Sequence, residues 1–155
     1  MEGSSVTFWL PLLVGIALGL GSVGLMALAG VVRERGSYAV AMVAIAAFYP
    51  VFAVGRGWDT FAFHAVVALL FVGLAILGAR KSLWWIVAAM ALHGLFDVLD
   101  GIRAPDPSPD WWGPFCLGVD LAIAAALSLV LLRGASLRGQ PAAAVPSDHT
   151  TEQFP

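Results

Sequence analysis

The chain has 155 residues, of which 60% are hydrophobic and only 12% charged. A soluble domain carries about 25% charged residues, and a mean hydropathy of +0.89 excludes an ordinary soluble fold. The net charge of −2 comes without a basic cluster, which excludes nucleic acid as a partner and leaves the lipid bilayer.

The run 6–32 holds no charged side chain and predicts a first helix from about Phe8 to Val32. Ala27-Leu28-Ala29 resembles a signal-cleavage site. A signal peptide, however, has a basic start and an apolar core of about 7–15 residues. This segment begins Met1-Glu2-Gly3-Ser4-Ser5 and is longer, so a retained helix is predicted. Gly15, Gly19, Gly21 and Gly24 crowd its middle. Gly15-x-x-x-Gly19 permits close helix contact, within the chain or against a second copy in a homo-oligomer.

A second helix is predicted from about Tyr38 to Val54, with Pro50 placed to kink its end. A third runs from Thr60 to Ala79, with Asp59 as its N-cap. A fourth runs from Leu83 to Asp100, and Gly101 suits a left-handed stop. The second and fourth are short for a straight span. Pro105, Pro107 and Pro109 then predict an extended loop. The fifth helix runs from about Gly113 to Leu132, with Pro114 in its first turn. Residues 1–138 thus form one transmembrane domain, and 139–155 a polar, disordered cytoplasmic tail. His149, in that tail, carries no role.

The predicted fold class is all-α: a polytopic transmembrane bundle of five helices. No short alternating segments support a barrel. Arg33, Arg35, Arg80, Lys81, Arg133 and Arg138 fall on one side, and only Arg56 and Arg103 on the other. Six against two places the N-terminus outside and the C-terminus in the cytoplasm. Trp9, Trp58, Trp111 and Trp112 would form an outer aromatic belt, and Trp84 and Trp85 an inner one.

This topology puts His64, His93, Asp97, Asp100 and Asp120 within about 10 Å of the outer interface, at 1.5 Å rise per residue. No comparable polar layer exists on the inner side. His93, Asp97 and Asp100 are spaced i, i+4 and i+7, on one helix face. A lipid-facing carboxylate costs about 2.5–3.5 kcal/mol, so Asp97 and Asp120 should face the bundle interior. Tyr49 and Cys116 lie at positions that let them join. Cys116 is the only cysteine, which excludes an intramolecular disulfide.

Several chemistries fit this set. His64, His93, Asp97 and Asp120 supply two imidazoles and two carboxylates, a donor set for zinc or iron that would activate water against an amphiphile. Alternatively Asp97 is an acid, with His93 as its basic or orienting partner and Asp120 completing the site. It would then work without metal on an apolar, isoprenoid-like substrate. Proton relay or small-ion transport also uses intramembrane Asp and His, but no charged residue continues inward. A purely structural role completes the alternatives: Asp100 capping its helix or pairing with Arg103, Asp97 with His93, and Asp120 with a Trp or a His.

His93-Gly94-Leu95-Phe96-Asp97, followed by Trp111-Trp112-Gly113-Pro114-Phe115-Cys116 and Asp120, resembles a family of small bacterial polytopic membrane proteins. Their pattern is a His-Gly-x-x-Asp helix followed by a Trp-x-Pro-Phe-Cys-x-x-x-Asp helix. The resemblance covers roughly residues 85 to 125. It implies a bacterial inner-membrane protein with His93, Asp97, Cys116 and Asp120 as signature positions, and implies no reaction. The chain departs from the pattern at Asp100-Gly101, where a further His is common, and at His64, where an acid is expected.

Overall fold

A computed structural model describes residues 3–102 and 106–138. Arg103, Pro105, the chain start and the tail from 139, including His149, lie outside the described residues. The rest is helical: α1 (Gly3–Leu28), α2 (Arg35–Ala53), α3 (Trp58–Arg80), α4 (Leu83–Ile102) and α5 (Trp112–Arg138). All five are long and apolar enough to cross a membrane. α2, the shortest with 19 residues, reaches about 28 Å, close to a hydrocarbon core of about 30 Å. Leu13, Leu25, Val40, Leu69, Leu70 and Leu99 are more than half exposed. Such a surface needs an apolar solvent rather than water.

Helix ends differ from the sequence expectation where local chemistry decides them. α1 stops at Leu28 rather than Val32, because Gly30 turns the chain at φ +74°, a conformation glycine adopts without strain. α2 starts three residues before the expected Tyr38. Glu34 caps it, accepting from the backbone N–H of Gly36 and of Ser37. The Ser37 hydroxyl, and then these N–H groups, hold the Glu34 carboxyl below its ordinary range. α3 begins at Trp58 with Gly57 at the cap position. Asp59 therefore lies inside the first turn, where its charge favours the helix dipole, and is not the N-cap. Gly101 is helical, not a stop, and α4 continues to Ile102. α5 extends beyond the expected Leu132 to Arg138.

The helices pair as α1 on α5 and α2 on α3. α4 stands between, touching α2, α3 and α5. Its buried residues include Leu83, Ile86, Met90, His93, Asp97 and Asp100. Their alternating spacing of three and four marks one core-facing stripe. The polar residues of α4 thus continue its apolar core stripe toward the C-terminal end of the helix. Tyr49 on α2 and His64 on α3 are likewise buried members of their helices' inner faces.

Lipid tails are as apolar as leucine, so close backbone packing and hydrogen bonds hold such a bundle. The α1–α5 seam is built this way. A Cβ on Gly15 would strike the Phe115 carbonyl, one on Gly19 would lie 2.7 Å from the Val119 carbonyl oxygen, and one on Gly118 would meet the Leu12 carbonyl. Gly15 and Gly19 are therefore used inside the chain, and the face offered to a second copy is already covered by α5. At the other end Arg33 Nη2 donates to the Val130 carbonyl at 2.9 Å.

Candidate functional site

The buried polar residues form two groups bridged by one tyrosine. In the first, His93 Nδ1 lies 2.8 Å from Asp120 Oδ2 and 3.5 Å from Asp97 Oδ2. Asp97 Oδ1 accepts from the Tyr49 hydroxyl at 2.8 Å. The i, i+4 spacing does bring His93 and Asp97 side by side. The short contacts nevertheless run between helices: α4 to α5 through Asp120, and α4 to α2 through Tyr49. One ligand atom each from His93, Asp97 and Asp120 fall within 4.8 Å of one another.

In the second group His64 Nε2 lies 2.9 Å from Asp100 Oδ2, and His64 Nδ1 lies 2.8 Å from the Thr60 carbonyl oxygen. A carbonyl only accepts, so Nδ1 carries the hydrogen. One further proton then lies between Nε2 and Asp100. Whether histidinium faces carboxylate or imidazole faces carboxylic acid, the pair is neutral. His64 is therefore committed to Asp100, and the expected four-ligand set becomes the three residues His93, Asp97 and Asp120. Asp100 is buried rather than a solvent-facing cap, and the expected pairing with Arg103 lies outside the described residues.

Tyr49 joins the groups: its ring lies parallel to that of His64, 5.6 Å away and 4° from coplanar, while its hydroxyl holds Asp97. Phe71 closes on His93 at 4.8 Å, and Phe96 sits among Tyr49, His64 and His93. These apolar walls carried no sign of their role in sequence, beyond Phe96 preceding Asp97. Cys116 is buried beside Tyr49 and Trp112 but does not belong to the converging ligand set. Trp112 is also buried, so the outer belt loses one member. Trp9, Trp58 and Trp111 remain exposed.

The cluster lies well inside its helices: His93 is about 13 Å from Ile102 at the described end of α4, and Asp120 about 12 Å from Trp112 at the start of α5. Asp120 has no exposed surface and the Asp97 side chain none either. Asp97 Oδ2, Asp120 Oδ1 and Trp112 Nε1 are buried without a hydrogen-bond partner among the described residues.

Beside the cluster lies a cavity of about 480 Å³ between α1, α4, α5 and the loop before α5. Phe8, Val98, Ile102, Pro114 and Leu117 supply the apolar part of its lining, and Asp97, Asp106 and Asp110 the acidic part. Sequence reasoning passed over these two acids. The signal for Asp106 was its short turn, in which Oδ1 accepts from the backbone N–H and hydroxyl of Ser108. No family model matches the chain, and neither a curated protein nor a solved structure matches it.

Proposed function

We propose that this chain is a membrane-embedded enzyme acting on a lipid or isoprenoid-like amphiphile, with His93, Asp97 and Asp120 as its reacting groups. The observation that carries this reading is the cavity against Asp97. Its volume falls within the range of about 300–1,000 Å³ typical of small-molecule sites. Its lining combines apolar side chains with the acids Asp97, Asp106 and Asp110, the combination an amphiphile requires. The Asp97 carboxylate is closed off from it, so turnover needs a side-chain movement that opens the cluster.

The orientation belongs to the same proposal: N-terminus outside, C-terminus in the cytoplasm of a bacterial inner membrane. The six-to-two bias of basic residues supports it. Kinship with the small bacterial membrane family is also part of this reading, since its two motifs supply His93, Asp97 and Asp120. A C-terminal fluorescent fusion is expected to light up in the cytoplasm. A C-terminal phosphatase fusion active outside overturns the orientation.

The substrate reading is tested in nanodiscs with a diazirine-bearing single-chain fatty alcohol. Labelling is expected at Val98, Ile102 or Leu117 in excess of that at Leu69 and Leu70, which are exposed on α3. Leu117→Trp, which fills the cavity, removes the excess. Equal labelling of cavity and outer surface sinks the proposal.

A further inference from the structure

We infer that His93, Asp97 and Asp120 are the protein ligands of one divalent transition-metal ion, of the zinc or iron class. This deepens the function proposed above by naming the cofactor of the same cluster, and it rests on that reading only for what the ion is used for.

The argument is one of charge and of unused lone pairs. A buried charge must be compensated, because an isolated ion in a low-dielectric interior is far more costly than a paired one. Asp100 has a buried partner in His64, at 2.9 Å. The deeper cluster has two carboxylates and one imidazole, all three at most 2% exposed. One proton on His93 leaves it a net negative charge. Two positive charges close it.

A second proton closes the count but not the hydrogen bonding. On Asp97 Oδ2 or Asp120 Oδ1 it finds no acceptor among the described residues. On Asp97 Oδ1 it competes with the hydroxyl hydrogen of Tyr49. A dication on neutral His93 closes the charge, takes one carboxylate oxygen from each aspartate and needs no acceptor for a second proton.

Ligand chemistry and spacing agree with this. One imidazole nitrogen and two carboxylate oxygens are acceptable donors to zinc or ferrous iron. Bonds of about 2.0–2.2 Å bring ligand atoms to roughly 3.3–4.3 Å apart. The three lie within 4.8 Å already, so a contraction of about 1 Å suffices. Three protein ligands leave a further position for water or a substrate oxygen, the pattern of catalytic rather than structural sites. Tyr49 orients Asp97 from outside the ligand set, a role that tunes affinity by about 10–100-fold.

The test is the metal content of full-length protein, purified without chelator from cells grown with added Zn²⁺, and separately with added Co²⁺. About one ion per chain is expected, with visible Co²⁺ absorption. Asp120→Asn and Asp97→Asn, which keep side-chain shape, are expected to reduce occupancy at least tenfold. Tyr49→Phe weakens retention against a competing chelator by about tenfold. Glu34→Gln, on the loop before α2, leaves the metal unchanged. Circular dichroism and a single gel-filtration peak establish that each variant is folded. Folded wild-type protein with no stoichiometric metal from either culture overturns the inference, as does full occupancy in folded Asp120→Asn. Metal-free protein still labelled in its cavity refutes the metal site alone. Metal-bearing protein without cavity labelling refutes the amphiphile reading alone.

Discussion

Asp120→Ala is expected to destabilise the bundle by about 3–5 kcal/mol, measured by unfolding in mixed detergent–SDS micelles. Two magnitudes compete here. An interhelical hydrogen bond between neutral groups in a membrane averages about 0.6 kcal/mol, which would make the substitution mild. Breaking a buried charged pair leaves the other charge uncompensated and costs several times more. The second applies because Asp120 has no exposure and lies 2.8 Å from His93 Nδ1, so its removal leaves the positive charge it offsets, on the ring or on a bound ion, uncompensated. Asp120→Asn separates the two terms. It keeps an oxygen able to accept from Nδ1 and removes the charge. A loss near 1 kcal/mol or less for both variants shows that the cluster behaves as ordinary neutral hydrogen bonding.

Gly118→Leu is expected to detach α1 from α5, with a loss of about 1–3 kcal/mol or more. The position admits no side chain. Even a methyl would meet the Leu12 carbonyl and come within 2.9 Å of the Ile16 nitrogen. Neither is the movable end of a side chain, so relief requires the helices to separate. The same reagent-accessibility assay reports on Gly24→Leu as a control, since a Cβ there meets nothing within 4 Å. Cysteines at Leu12 and Val119 are expected to become reactive toward a maleimide only in the Gly118 variant. Equal reactivity in both variants contradicts the tight seam.

The number of helices and the shared face of His93 and Asp97 were legible in the sequence for simple reasons. Apolar runs of span length leave few alternatives, and the i, i+4 spacing of His93 and Asp97 fixes their shared face. The pairings were not legible, because they depend on how each helix is rotated about its axis. His64 faces Asp100 rather than His93, and Asp97 turns its nearer oxygen to Tyr49 on α2. Trp112 shows the same limit. Beside Trp111 it reads as an interfacial residue, yet one step along a helix is 100° of rotation, and that carries it inside against Tyr49 and Cys116. Helix ends failed where capping chemistry was subtle: Gly101 is a permissive residue that α4 simply passes through.

The partner of α1 is made long after it. Gly15 and Gly118 meet across a gap of about a hundred residues, so α1 enters the bilayer and waits for α5 through most of synthesis. It can wait because the span Thr7–Leu28 has no charged side chain and is at ease alone in lipid. α4 is in the opposite position. Its His93, Asp97 and Asp100 emerge when Tyr49 and His64 are already in place but Asp120 is not. Asp97 and Asp100 can find partners at once, whereas His93 has only Asp97, at 3.5 Å, until α5 brings Asp120 to 2.8 Å. The order of synthesis thus makes insertion of α5 the step on which both the α1–α5 seam and the His93 cluster depend.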